Sequence, residues 1–381
     1  MHLVDITMFY AAEGGGVSTY LNAKARWLAR FSQLRHTIVS SNVRSASASA
    51  SAAPALVEIP AVRFPGIHGY RMPLSVATPA RILQAVRPDL IEVGDAGPCA
   101  WAALRAAHRL GIPAVAFYHS DLPRLLGHRF GALAMRGASA YLSRLYRQFD
   151  LVLAPSRLMV QQLADLGIRG AVHQPLGIDL GVFCPQRRFT TLRRHLSLAP
   201  GTRLLVYAGR FTAEKKLGLL IEAVCQLGQP YHLVLIGGGH PLPRLPQMTH
   251  IPFKRDQRVL ARLLASCDLM VHPGDCETFG LIVLEAMACG LPVVATGGAV
   301  AELVDGRTGL LVRPDSAASL AEGIDALFRQ DLAVLGANAR KKAQELYDWD
   351  LIMPQLLGRY GGLLASHQRA ELDAGRICVS D

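Results

Sequence analysis

Residues 269–295 read LMVHPGDCETFGLIVLEAMACGLPVVA, and this stretch decides the fold class. A short apolar run, Leu269 to His272, leads into a polar, glycine-containing loop. A helix pattern starts at Gly280 and places Leu281, Leu284 and Met287 on one stripe. A second apolar run, Pro292 to Ala295, follows. Strand, helix and strand in so short a span form a βαβ unit, whose strands run parallel with a right-handed crossover. Strands covered on both faces read as continuous apolar runs rather than alternating ones, as these do.

The same alternation extends outward. In the second half, strands are expected at Leu204 to Ala208, His232 to Ile236 and Leu310 to Val312. In the first half they are expected at Leu3 to Met8, Thr37 to Ser40, Leu90 to Val93, Ala114 to Tyr118 and Leu151 to Ala154. The class is α/β with parallel sheets. A chain of 381 residues exceeds what one core normally serves, so two Rossmann-like domains are expected. The alternation breaks between Gly177 and Pro200, where Pro185, the pairs Arg187/Arg188 and Arg193/Arg194, and the turn Pro200-Gly201 intervene. The expected division is 1–179, 180–348, and a C-terminal helix with tail over 349–381. In that last part Leu351 to Leu364 is helical with no strand to follow, and fraying is expected from Ser366. The Ser/Ala run from Ser45 to Ala53 reads as a solvent loop.

Composition narrows the function. The chain is 51% hydrophobic and 18% charged, which excludes general disorder. Its net charge of +11, concentrated in the first 179 residues, suits a phosphate-bearing partner or an anionic membrane surface. Nucleic acid is disfavoured because no recognised binding module accompanies the basic residues. Seven cysteines without a C-x-x-C pair point to a reducing, cytoplasmic compartment and away from structural zinc. No leader pattern opens the chain, and the apolar stretch Gly280 to Thr296 is broken by Glu285, glycines and Pro292, so membrane contact is expected to be peripheral.

Candidate chemistry gathers at strand ends. Gly14-Gly15-Gly16 precedes a helix over Val17 to Phe31, setting backbone amides where an anion binds, although a plain tight turn fits the same residues. The glycines lack G-x-G-x-x-G spacing, and no acid ends the second strand, which weakens a dinucleotide reading. Arg210 leaves the strand Leu204 to Ala208, with Lys215 about a turn later. Two cations there suit a diphosphate, and solvated surface charge is the alternative. Glu277 lies in the loop before the helix that carries Glu285. Ionised carboxylates accept from sugar and ribose hydroxyls, while the amides of Thr278, Phe279, Gly280 and Leu281 face the same loop. A glutamate inside so apolar a helix needs a partner. His119, followed by Asp121, ends the strand Ala114 to Tyr118. Asp121 and Arg124 are acceptor-side candidates, and Arg124, His128, Arg129, Arg136, Arg144 and Arg147 crowd a segment with no acid between Asp121 and Asp150. With Tyr141, Leu142, Leu145, Tyr146 and Phe149 this segment reads either as a basic amphipathic helix for an anionic leaflet or as an ordinary helix with a core stripe.

In these features the chain resembles the family-4 retaining glycosyltransferases of the GT-B fold, two Rossmann-like domains facing each other across a cleft. The resemblance spans nearly the whole chain. It rests on Gly14 to Gly16, His119, Ala154-Pro155-Ser156, Pro175-Leu176-Gly177-Ile178-Asp179 with Phe183 and Pro185, Gly209-Arg210 with Glu214-Lys215, Ile236-Gly237-Gly238-Gly239, and the seven-residue-spaced pair Glu277 and Glu285. It implies that Arg210 and Lys215 neutralise the donor diphosphate, that Glu285 holds the ribose, and that Glu277 and the amides after it hold the transferred sugar. Gly15, Gly16 and Gly238 would contact the donor, and His119 would lie against the sugar. It also implies retention of configuration, no metal, no cofactor beyond the nucleotide-sugar donor, and a C-terminal helix returning to the first domain. Two positions depart from the family pattern: Lys216 stands where glycine is frequent, and Ala301 replaces the usual proline before Glu302. The expected function is transfer of a hexose from a UDP- or GDP-linked sugar to a membrane lipid or lipid-linked glycan of the cell envelope. A nucleotide-sugar 2-epimerase and a non-catalytic GT-B partner subunit are the alternatives; the second should have lost Arg210, Lys215 or a carboxylate of the pair, and all are present.

Overall fold

The computed structural model describes residues 1–10, 14–42, 54–63 and 70–377. The expected solvent loop Ser45 to Ala53 lies outside the described residues. The chain divides into two units, one of Met1–Pro175 with Trp349–Asp381 and one of Leu176–Asp348. The passage falls at Pro175, just before the 177–200 window read from the sequence. The reason is local: the Ile178 N–H donates to the Tyr347 carbonyl at 2.7 Å, and Ile178 bridges to Asp348, so the segment after Pro175 is already tied to the second unit.

In the first unit the strands are β1 (His2–Thr7), β2 (Arg35–Ser40), β3 (Ala55–Glu58), β4 (Val62–Arg63), β5 (Arg71–Met72), β6 (Leu90–Val93), β7 (Ala114–Phe117), β8 (Leu151–Ala154) and β9 (Val172–His173). Seven form one sheet in the order β3-β2-β1-β6-β7-β8-β9, all parallel, while β4 and β5 pair antiparallel by themselves. Its helices are α1 (Gly16–Phe31), α2 (Ala77–Val86), α3 (Pro98–Leu110), α4 (Leu122–Phe130), α5 (Ala132–Tyr146) and α6 (Arg157–Asp165). The second unit adds α7 (Leu192–His195), α8 (Leu217–Leu227), α9 (Gln257–Ala265), α10 (Leu281–Ala288), α11 (Ala317–Phe328) and α12 (Leu332–Leu346); α13 (Trp349–Ile377) belongs to the first. The second sheet is β12-β11-β10-β13-β14-β15, again all parallel, from β10 (Arg203–Phe211), β11 (Tyr231–Gly239), β12 (Met248–Pro252), β13 (Leu269–His272), β14 (Val293–Ala295) and β15 (Gly309–Leu311).

Both sheets reverse their strand order once, at β1/β6 and at β10/β13. At such a switch point the connections leave in opposite directions and open a crevice beyond the carboxyl ends, the usual ligand position in open α/β sheets.

A buried polar cluster fastens α13 to the first sheet. Lys24, with no exposed surface, donates to Asp5 Oδ1 at 2.8 Å and lies 3.1 Å from Glu92 Oε2 and 3.2 Å from the Tyr360 hydroxyl. Tyr20 donates to Glu92 Oε1 at 2.8 Å, and Tyr360 donates to Oε2. Burial opposes ionising Asp5, but Lys24 and His36 outweigh it and hold its carboxyl well below the usual range. The helix continues to Ile377, past Ser366, where fraying was expected.

Two further expectations change. α10 is buried nearly all round, with Val283 and Ala286 covered as well as Leu284 and Met287, because it packs against β13, β14, α9 and α12. The basic segment after Asp121 is two helices, and Leu142, Leu145, Tyr146 and Phe149 belong to the core of the first unit. That apolar stripe is therefore spent on the fold and is not a membrane face.

Candidate active site

The switch point of the second unit brings the sequence candidates together. β10 and β11 pair in register through Gly209 with Gly237 and Arg210 with Gly238. A Cβ on Gly237 would sit 1.9 Å from the Gly209 carbonyl oxygen, and both glycines have left-handed φ, +148° at Gly209 and +145° at Gly237. Only glycine permits that approach. Arg210 leaves this end exposed, and its guanidinium has no ion pair or hydrogen bond among the described residues.

A short 3₁₀ turn over Ala213–Lys215 then brings the chain across to β13. Gly274 lets the loop after β13 lie against that turn, since a Cβ there would come within 3.1 Å of the Glu214 carbonyl. The contact sets Lys215 Nζ 2.5 Å from Glu277 Oε1. His272, the last residue of β13, places Nε2 3.1 Å from the same oxygen. Burial resists ionisation of Glu277, yet Lys215 and then His272 overcome it and hold the carboxyl well below the ordinary glutamate range. Glu277 is thus a fixed anion with Oε1 engaged.

Lys216, at the position where the family often has glycine, is left-handed with φ +51°, a conformation that costs a side chain strain. Two ion pairs hold it there, to Asp275 Oδ1 at 2.9 Å and Asp315 Oδ1 at 2.8 Å. Gly298 approaches the same loop, with a built Cβ 2.4 Å from the Asp275 carbonyl. His272 and Lys216 were not among the sequence candidates. Their positions beside Glu277 and Lys215 at strand and helix ends were the available signal.

Thr278 and Phe279 complete the loop, the Phe279 ring packs edge-on to Tyr347 at 5.7 Å, and Gly280 begins α10 at φ +96°. Leu281 is the first helical residue, so the loop amides face the positive end of the helix. Glu285, one turn on, is 6% exposed and makes no hydrogen bond or ion pair through its carboxyl among the described residues. A glutamate in so apolar a helix calls for a partner, and the described residues supply none. Burial alone raises its pKa to about 8, so near neutrality the acid is mostly protonated rather than the ready anion expected from sequence. Gly238 also lines a cavity of about 580 Å³ with Phe211, His240 and Arg244, which does not include Lys215, Glu277 or Glu285.

In the first unit, Gly15 caps α1 at φ +125° and Gly16 is its first residue, with no acid in the first turn. His119 stacks on Phe117 with centroids 4.3 Å apart and lies 5.2 Å from Tyr20. Burial, aided by Lys24 and opposed by Asp5, lowers its pKa to about 3, so the ring is neutral at physiological pH. Asp121 is committed locally: its Oδ1 accepts from the Arg124 N–H and from the Tyr118 hydroxyl, both at 3.2 Å. It caps α4 through Oδ1, and Arg124 enters that cap through its backbone N–H.

Comparison with known proteins follows the same division. The model described as Glycosyltransferase Family 4 matches residues 14–182, and that described as Glycosyl transferases group 1 matches residues 202–330. The GDP-mannose-dependent alpha-(1-6)-phosphatidylinositol dimannoside mannosyltransferase of Mycobacterium tuberculosis (strain ATCC 25177 / H37Ra) is 29% identical, over 96% of this chain and 97% of its own. A GDP-mannose-dependent alpha-mannosyltransferase of Mycobacterium tuberculosis (strain CDC 1551 / Oshkosh) is 32% identical over 79% of this chain and 80% of its own. Among solved structures, sucrose-phosphate synthase from Thermosynechococcus elongatus superposes with a TM-score of 0.80 at 21% identity, covering 96% of this chain and all of that one. Anabaena HepE in complex with UDP-glucose gives 0.75 at 20%, covering 95% and 100%.

Proposed function

This chain belongs to the family-4 glycosyltransferases of the GT-B fold, and from that premise we propose that it transfers a hexose from a nucleoside-diphosphate sugar to a hydroxyl of a membrane lipid or lipid-linked glycan, with retention of configuration. One observation carries the donor half. At a single switch point stand an unpaired guanidinium, a lysine held on a fixed carboxylate, and a second carboxyl buried without a protein partner. A nucleotide sugar asks for those groups: cations for two phosphates, an acceptor for hexose hydroxyls and another for the ribose diol.

Arg210 and Lys215 take the diphosphate, and Lys215 divides its three N–H donors between Glu277 and a phosphate oxygen. The Thr278 to Leu281 amides add positive potential at the α10 terminus. Glu277 orients the hexose through Oε2, and Glu285 receives the ribose. The C1–phosphate oxygen bond breaks as a bond from C1 to the acceptor oxygen forms on the same face. The acceptor proton passes to the departing phosphate oxygen, whose charge Arg210 and Lys215 absorb. Neutral His119 is assigned a hydrogen bond to the sugar, and Gly15, Gly16 and Gly238 backbone contacts to the donor. The reading gives no step to a metal or a cofactor.

The mannosyltransferase relatives named for GDP-mannose make it the first donor to try, and the one named for phosphatidylinositol dimannoside supports a lipid acceptor. Among the described residues no helix is long and apolar enough to cross a membrane. The proposed location is the cytoplasmic face of a membrane, held peripherally. The test incubates the protein with GDP-mannose and with UDP-glucose, each with and without lipid extract, and follows nucleotide release and the anomeric form of the product. Nucleotide released only with a lipid acceptor is expected. No release from any nucleotide sugar would sink the donor assignment, and an inverted product would sink retention.

A further inference from the structure

The hairpin of α4 and α5 presents a surface that sugar transfer at the switch point does not use. Its inner side is structural: Ala138, Leu142, Leu145 and Tyr146 are buried, and a Cβ on Gly127 would lie 3.1 Å from the Met135 Cβ, so the two helices touch near their turn. The outer side is apolar at the turn. Phe130 is 63% exposed, and Leu133, at 83%, is the most exposed large apolar side chain among the described residues. They flank Gly131, whose φ of +86° makes the bend and around which an added Cβ would meet nothing within 4 Å.

Behind this tip the surface is cationic. Arg129, Arg136, Arg144 and Arg147 are exposed, and no acid occurs from 122 to 149. On α5, Leu133, Arg136, Gly137, Ala140 and Arg144 recur at helical spacing opposite the buried stripe, so the cations continue the face that Leu133 begins. Apolar side chains leading and arginines following, with no anion between, match the boundary of an anionic bilayer, where acyl chains take the first and lipid phosphates the second. A nucleic-acid strand fits less well, because base stacking would use the Phe130 ring alone and leave the more exposed aliphatic Leu133 in water, whereas acyl chains take both.

We propose that the α4–α5 hairpin is the membrane-docking element of the first unit, with Phe130 and Leu133 entering the headgroup boundary of an anionic leaflet and the four arginines resting on its phosphates. The proposal deepens, and rests on, the reading of the chain as an enzyme of lipid acceptors. It also gives that reading a place, since α4 starts directly after Asp121, two residues beyond His119.

The full-length protein is sedimented with phosphatidylcholine vesicles and with vesicles that also contain phosphatidylglycerol, at low and at physiological salt. Salt-sensitive pelleting with the anionic vesicles alone is expected. The double variant Phe130→Ser/Leu133→Ser should lose roughly tenfold or more in partition, and Arg136→Glu/Arg144→Glu should lose a similar amount together with most of the salt dependence. All four side chains are exposed, so both variants should keep wild-type melting and wild-type nucleotide affinity in solution. Equal pelleting with neutral vesicles, no pelleting at low salt, variants that pellet like wild type, or a dimer in solution that the apolar variant dissociates would each overturn the proposal. Nucleotide-sugar turnover measured in parallel with lipid extract separates the two readings: turnover without vesicle binding defeats docking alone, whereas the expected vesicle pattern without turnover from any nucleotide sugar supports docking and defeats the donor assignment.

Discussion

Glu285 gives the sharpest test of the donor site, because its protonation should report occupancy. In the free protein its pKa stands at about 8, raised by burial from 4.5 with no protein partner to offset it. At pH 7 only about one carboxyl in ten is then ionised. Two ribose hydroxyls donating to the carboxylate favour the charged form and draw the pKa back toward its ordinary range. Nucleotide binding at pH 7 should therefore release a large fraction of a proton, and affinity should rise up to about tenfold per pH unit between the two pKa values, levelling above the free-protein value. Calorimetric titration with GDP, and with UDP, in buffers of different ionisation enthalpy measures the release directly. Glu285→Gln, run alongside, subtracts protons belonging to the nucleotide. Stability moves the opposite way with pH: a folded pKa above the unfolded one gives stability that is complete below 4.5 and lost as pH rises through about 8. The glutamine variant should gain melting temperature relative to wild type across that interval. Release of no proton beyond that of the variant, with unchanged affinity, would show that the ribose does not meet this carboxyl.

Arg210→Ala and Lys215→Ala should both lower turnover about 10²- to 10³-fold, since each removes a charge-stabilising donor. They should differ in stability: exposed Arg210 changes it by less than about 0.5 kcal/mol, whereas loss of Lys215 leaves Glu277 only His272 and costs about 1–3 kcal/mol in urea titration. Because the Glu277 pKa is depressed in the folded state, the Lys215→Ala deficit should be full above 4.5 and shrink as pH falls. In the first unit, Lys24→Met removes the buried cation shared by Asp5 and Glu92 and should cost about 3–5 kcal/mol in chemical denaturation, whereas Tyr360→Phe, which removes one hydroxyl, should cost about 1 kcal/mol.

Much of this was legible from the sequence because its causes are local. The central strands are continuous apolar runs bounded by turn residues, and β6, β8 and β13 fall where those runs lie. Strand ends carrying Arg210, Lys215, His119 and Glu277 could be read for the same reason. The edge strands β3, β9 and β12 could not: they are short and largely half-exposed, with neither a continuous run nor a clean alternation to mark them. Nor did the basic segment reveal that its apolar stripe faces the core, since a helix pattern shows a stripe but not what covers it.

What only tertiary structure decided is who meets whom. Lys215 reaches Glu277 because β13 lies beside β10 in the sheet, an adjacency set by strand order and not by separation along the chain. The sequence marked Glu285 as a carboxyl in an apolar helix that must find a partner; packing on all sides of α10 decided that no group among the described residues fills the role. Asp121 became a helix cap and Lys24 the centre of a charge cluster in the same way. Residue type and periodicity are properties of the chain, but burial and contact arise only when distant elements close around a side chain, and those two quantities set its charge and its chemistry.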